Sequence, residues 1–398
     1  MKKLSLTQAQ QVIFAALSGR QATESVALAD ARGRYPRESL RAHLPIPAFS
    51  QSTRDGFAFR FADIKGRDFV RLPIIGESSA GRPSGARLAP RTTVRIMTGA
   101  ALPAGSDTVV PFEKCQEENG EISVRVHAGM HQFQFIRRRG SDLRQGQVLV
   151  RRGQRISLDS LLLLAEAGHD TVTVGKRPRV AFLCTGSELV EDGSNIRHGQ
   201  KVSGNRFLLE GMTVDAGGTP ENHGPVADSS LHLRQALEQA LAGRPDIIVT
   251  TGGMGPGRYD LVHEVFRAMG GHLLYDTLDV RPGRSTMFGT VDGVPLFALP
   301  GPPPVVRLLF HELVAPSLFF LQGARNCLPL VCRMPLAVDI TCRGGILNLK
   351  GAVVEEGRDG RRVRPAGLLE PVTAVLLLPG HRRRFPAGAT VTAHLIAR

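Results

Sequence analysis

The residues best suited to chemistry in this 398-residue chain stand between Asp246 and Asp260. The apolar run Ile247 to Val249 reads as a buried strand, and it breaks into Thr250, Thr251, Gly252 and Gly253, then two more glycines and a proline before Asp260. Glycines just past a strand leave backbone N–H groups uncovered by side chains, and such groups form a nest that suits an anion. Asp260 precedes the apolar-periodic residues Leu261, Val262, Val265, Phe266 and Met269, so it is placed as a helix N-cap. A plain glycine-rich turn with a capping Asp reads the same way, and the motif alone leaves both readings open.

Other polar segments have the same double character. Asp55 lies beside Gly56 in the loop Pro47 to Ala58, where a metal or ribose could meet the backbone closely; the pair is also a common turn. Arg95 to Gly99 contains Thr98 and leads into the turn Ala104 to Asp107. Asp142 follows Arg137, Arg138 and Arg139, and stays ionised if they are close in space. Arg281-Pro-Gly-Arg284 puts two guanidinium groups on one tight turn, which suits an oxyanion or an exposed corner equally.

The elements that must position these groups follow from periodicity. Val180 to Leu183 is a second strand, running into the polar turn Thr185 to Glu188. Val294 to Leu299 is a third, running into Pro300-Gly301-Pro302-Pro303-Pro304 and a helix-like Val305 to Leu313. Ser229 to Leu241 carries an apolar face between them. Strands alternating with helices predict βαβ units, with ligands at the carboxyl edge of a parallel sheet. The α/β domain is placed at 176–322. Residues 46–140 read as a β-rich insert, 1–45 with 141–175 as a discontinuous helical and linker domain, and 328–398 as a small C-terminal β domain.

Composition narrows the partners. The formal charge is +14, but the arginine clusters are spread along the chain and only three Tyr are present, which favours a small polyanion over nucleic acid. Five scattered cysteines fit neither a disulfide framework nor a zinc site. No run approaches the roughly 20 apolar residues of a membrane span, so the cytosol is the default compartment.

Taken in order, the segments resemble the molybdopterin molybdenumtransferase family, bacterial MoeA and the E domain of gephyrin. The matching pieces are Ser52 to Ala58, Arg95 to Asp107, Arg139 to Asp142, Thr185 to Leu189, Thr251 to Asp260, Arg281 to Gly283 and Leu299 to Gly301, with looser matches at Ser203-Gly-Asn205 and Asp228. The resemblance implies a four-domain subunit and a homodimer whose site lies between the α/β domain of one chain and the partner's N-terminal region. It implies Mg²⁺-dependent insertion of molybdate into adenylylated molybdopterin with release of AMP, and a molybdopterin adenylyltransferase as partner. Carried onto this chain, it makes Asp55, Asp142 and Asp260 catalytic. Asp55, Asp142, Glu188, Asp228 and Asp260 become the metal set. Thr98, Thr185, Ser187, Glu188, Asp228, Thr251, Gly252, Gly253, Arg281, Arg284, Pro300 and Gly301 become the binding set.

The chain departs from the family pattern at Met254-Gly255-Pro256, where a hydroxyl is missing, at Arg281 and Arg284 in place of lysines, and at Pro302-Pro303-Pro304, where an Asn and a hydroxyl are missing. Three readings therefore stand: an active insertase with a modified anion pocket, a non-catalytic pterin- or nucleotide-binding paralogue, and a scaffold of cofactor assembly.

Overall fold

The computed structural model describes residues 3–254, 261–357 and 360–396. Its largest unit is a six-stranded sheet in the order Thr219–Val226, Arg179–Thr185, Ile247–Thr251, Val294–Leu299, Met287–Val291 and His272–Tyr275. The first four strands are parallel; Met287–Val291 runs antiparallel to both of its neighbours, so His272–Tyr275 has the direction of the first four. The parallel strands are apolar on both faces because helices cover both. Alternate residues along each strand enter two cores. Val180, Phe182, Val249 and Phe297 pack on one side with Leu309 and Leu313; Ala181, Leu183, Ile248 and Leu296 pack on the other with Leu233, Leu237 and Phe266.

The helix Leu6–Leu17 starts with a capping box, in which Ser5 and Gln8 satisfy each other's backbone N–H groups. Its apolar face (Leu6, Ala9, Ile13, Leu17) enters the α/β core, and Lys3–Leu4 pairs with Thr277–Leu278. Residues 3–17 thus share a core with the α/β unit.

Helix-forming residues run from Pro303 to Leu321, with one wider π turn at Phe310–Val314. By length and composition this 19-residue helix could cross a membrane, contrary to the sequence expectation that no run is long enough. Two thirds of it is buried beneath the sheet, which makes it a core helix of this fold.

A second six-stranded sheet carries Asp55. Its order is Thr108–Pro111, Gly56–Phe59, Thr93–Ile96, Phe69–Ser78, Glu121–Arg125 and Cys115–Glu118, closed over Phe57, Phe59, Leu72, Val110 and Ile122. Between the two sheets, Thr23–Ala27 pairs antiparallel with Thr171–Gly175 beside the helix Leu158–Glu166, whose Ser157 cap accepts from the N–H of Ser160. The C-terminal sheet orders Val280–Arg281, Leu347–Gly357, Ala374–Leu378, Thr390–Leu395 and Leu330–Pro335, with Gly360–Pro365 against the second of these. Its first strand is lent by the α/β unit, which ties the two together.

Where the helix from Pro303 ends, the chain runs tightly against its neighbours. Gly175 lies so close to the carbonyl of Gln322 that any β-carbon at 175 would overlap it. Gln322 is buried, and its amide donates to the carbonyl of Ala216 at 2.8 Å.

Candidate active site

The carboxyl ends of the parallel strands form a row. Thr185 stands beside Val226, Cys184 beside Thr251, and Thr251 beside Leu299. The three strand–turn motifs of the sequence are therefore neighbours on one edge, where open α/β sheets bind ligands.

The floor of this edge is closely built. Gly252 adopts φ +92°, and a β-carbon there would come within 2.5 Å of the Thr185 carbonyl oxygen and 2.6 Å of its hydroxyl. Only glycine fits. The Gly252 N–H, however, donates to the Leu299 carbonyl at 3.0 Å. The Gly252 N–H is therefore committed to the sheet and is not among the free donors of the expected nest. Gly253, also left-handed at φ +62°, is the one of the pair whose N–H makes no bond to a described residue.

Asn205 completes the floor. Its amide nitrogen donates to the Gly301 carbonyl at 2.8 Å and to the Thr251 hydroxyl at 3.2 Å. The carbonyl of Gly301 can only accept, which fixes the amide orientation and leaves Oδ1 as a buried acceptor without a partner among the described residues. The hydroxyls of Ser203 and Thr250 are likewise buried, with no partner among the described residues. Sequence reasoning placed Asn205 only loosely, and left it out of the binding set. Its signal was an amide at the start of the helix Gly204–Asp215, whose first turn faces the strand ends.

Beyond Thr185, Ser187 and Asp228 lock two turns together. The Ser187 N–H donates to the Asp228 carboxylate and the Asp228 N–H donates to the Ser187 hydroxyl, both at 2.9 Å. Glu188 pairs instead with Lys201 at 2.9 Å. Partial burial would push the Glu188 carboxyl up, but bonds from Lys201 and from its own backbone outweigh it and hold it below the usual value. Pro300 and Gly301 follow Leu299, and Pro302 caps a helix whose first two residues are Pro303 and Pro304. Those two lack N–H groups, so this helix start has fewer donors for an anion than most.

Asp55 heads the strand Gly56–Phe59. Gly56 is buried against the Val110 backbone, so its lack of a side chain serves sheet packing. The exposed Asp55 carboxylate accepts from the N–H and the hydroxyl of Thr98, each at 2.7 Å. Those two bonds hold its carboxyl below the ordinary value of 3.8. Asp142 is ion-paired with Arg137 and accepts from Ser141 at 2.8 Å, and the Arg137 bond lowers its carboxyl further. The expected proximity to the arginine run is present, through Arg137. The segments bearing Asp55 and Asp142 are laced together, with Gln51–Ser52 paired to Ile136–Arg137.

Arg281 and Arg284 flank a turn in which Gly283 packs on Leu309 and its carbonyl accepts from Thr286 at 2.7 Å. Neither arginine forms an ion pair with a described residue. Thr98, Thr185, Thr251, Gly252 and Gly301 thus sit in built contacts, whereas the Asp55 group and the strand-end group stand on separate sheets. Among the described residues no three His, Cys, Asp or Glu side chains converge to hold a metal ion. Asp260 lies outside the described residues, together with its expected capping role.

Comparison with known proteins decides the family. Residues 4–168 match the MoeA N-terminal region (domain I and II), and residues 181–319 match a probable molybdopterin binding domain. The chain is 30% identical over 387 residues to the molybdopterin molybdenumtransferase of Bacillus subtilis, covering 94% of this chain and 90% of that one. It belongs to the molybdopterin molybdenumtransferase family. The enzyme of that name from Staphylococcus epidermidis is 28% identical over 382 residues, 92% of this chain and 90% of that one. A crystal structure of a molybdopterin biosynthesis MoeA protein from Pyrococcus superposes with a TM-score of 0.87 at 25% identity, covering 99% of each chain. The expected multidomain α/β and β architecture is that of the family, and this chain is a transferase of molybdenum cofactor biosynthesis.

Proposed function

We propose that this transferase inserts molybdate into adenylylated molybdopterin and releases AMP, at a site completed between two copies of the chain. The observation that carries the reading is the strand-end floor. Asn205 holds a buried acceptor there with no partner among the described residues, and Gly253, two residues past Thr251, has an N–H that bonds to no described residue. A pterin ring offers ring and amino N–H donors, which match that acceptor, and burying the acceptor unmatched is costly. Gly253 and the arginines of the 281–284 turn supply donors for the phosphoanhydride and the oxyanion.

In this reading the chain's own residues bind and orient. Asp55, fixed by Thr98, and Asp142, fixed by Arg137, are brought by the second subunit to the open strand edge. The support for a dimer is the helix Leu158–Glu166, which leaves Leu158 and Leu162 exposed by 65% and 60% on one face. A second copy would cover them. When bound, Mg²⁺ would polarise the phosphoanhydride. The described carboxylates of one chain do not assemble a site for it, so no step is assigned through the metal. A molybdopterin adenylyltransferase would supply the substrate, and the cytosol would be the compartment.

The test is AMP release from adenylylated molybdopterin, with and without molybdate and Mg²⁺. Molybdate-dependent release establishes the insertase. Tight binding with no release under any condition overturns it in favour of a binding paralogue.

A further inference from the structure

The carboxyl edge of the sheet is not the only place built for an anion. A cavity of about 570 Å³ opens where the N-terminal segments, the α/β unit and the C-terminal sheet meet. Five arginines line it, Arg32, Arg34, Arg155, Arg177 and Arg307, against one carboxylate, Asp215. Only Arg34 has an ion-pair partner among the described residues, Glu24.

Arg34 carries the argument further. Its side chain is 6% exposed, and it donates to Glu24 and, at 2.7 Å, to the carbonyl of Gly175. Its Nε is buried with no acceptor among the described residues. A buried guanidinium N–H without an acceptor is unfavourable, and like charges around one cavity add to the cost. An anion in the cavity relieves the second of these. Planar guanidinium forks match phosphate better than they match a point charge. The volume exceeds what inorganic phosphate needs and falls in the range of small-molecule sites. Tyr35, Phe310 and Phe319 line the same space, with Tyr35 and Phe319 in edge contact at 6.3 Å. Phe310 is buried in the core behind them, and Tyr35 and Phe319 offer a wall to an aromatic group.

We propose that this cavity is a second ligand site, separate from the strand edge, that takes a phosphate ester carrying an aromatic ring. The phosphate lies among Arg34, Arg155 and Arg177, and the ring against Tyr35 and Phe319. Its walls come from all three parts of the chain, so occupancy holds their relative positions.

The experiment is calorimetric titration of the full chain at low salt with AMP and, separately, with inorganic pyrophosphate. AMP is expected to bind more tightly than pyrophosphate. Arg155→Gln with Arg177→Gln is expected to weaken the AMP site about tenfold or more, while Asn205→Ala leaves that site unchanged. Hydrogen exchange on the wild-type chain, which needs no variant, is expected to slow at 32–35 and 212–217 when AMP is added. An arginine variant that melts and titrates like wild type overturns the proposal. So does AMP protection confined to 185–187 and 228, or pyrophosphate binding as tightly as AMP.

Discussion

Nδ1 of His394, on the last strand, lies 2.9 Å from Oε2 of Glu312, a fully buried carboxylate in the π turn of the helix beneath the α/β sheet. His311 meets the other oxygen of the same carboxylate at 3.0 Å, and the amide of Gln10 donates to the Glu312 carbonyl at 2.9 Å. One acidic residue therefore joins the first helix, the core helix and the C-terminal sheet.

Burial alone would raise the Glu312 carboxyl, but the bonds from His311 and His394 outweigh it and hold it below 4.5. A carboxyl lowered on folding stabilises the fold above its unfolded value, and that contribution is lost as pH falls through the folded value. Glu312→Gln should therefore be less stable than wild type at pH 7, by roughly 3 kcal/mol for a broken buried charge network. Urea melts at decreasing pH should show the gap closing below pH 4.5. A gap that stays constant with pH would refute the role given to the carboxylate.

Gly252 is closely packed at the strand edge. Gly252→Ala should cost roughly 1–3 kcal/mol, since φ +92° is strained for any β-carbon and Thr185 blocks the space. Thermal melting measures the cost, and pterin binding should fall with it. A variant with wild-type melting and binding would mean that the turn can move aside.

Asn205→Ala should raise KM for the pterin substrate about tenfold or more, because the substrate N–H loses its acceptor. Asp55→Asn should lower turnover while leaving melting unchanged, since the carboxylate is exposed and Thr98 can still donate to the amide. If the site is shared between subunits, mixing the two impaired chains at substrate well below the raised KM should lift activity above that of either chain alone, toward about a quarter of wild type, through the hybrid dimer. No recovery in a mixture shown to contain hybrids would place both residues in the same half of the site, or in none.

Leu162→Glu puts a charge on the exposed apolar face of the helix Leu158–Glu166. Sedimentation should show the wild-type chain as a dimer and the variant as a monomer, with little loss of melting temperature, because the position is already exposed in one chain. A dimeric variant would move the interface elsewhere.

The sequence was most legible where apolar period and turn chemistry agreed. Ile247, Val294 and Val180 begin strands that the eye finds directly, because both faces are buried and the runs are continuous. The strand Thr219–Val226 and the helix Gly204–Asp215 were missed. The strand contains two prolines and a glycine, and sits at the sheet edge, where a missing N–H is tolerated. The Asp142–Arg137 pair was half visible in the run of arginines. Lys201 was not, since it meets Glu188 only after the chain loops round to lay Lys201–Val202 parallel to Leu189–Val190. The direction of the Asn205 amide depends on a carbonyl 96 residues away, which no local pattern carries.

The close approach of Gly175 to Gln322 has a mechanical meaning. A joint with no room for a methyl group has no play, so the strand Thr171–Gly175 and the end of the core helix move as one piece. The segment that carries Asp55 grows from this joint through Leu40–Arg41 and Val148–Val150. Any angular error at residue 175 is passed outward along that arm and magnified. Where Asp55 stands relative to the α/β unit is set in part by the absence of one carbon atom far from it.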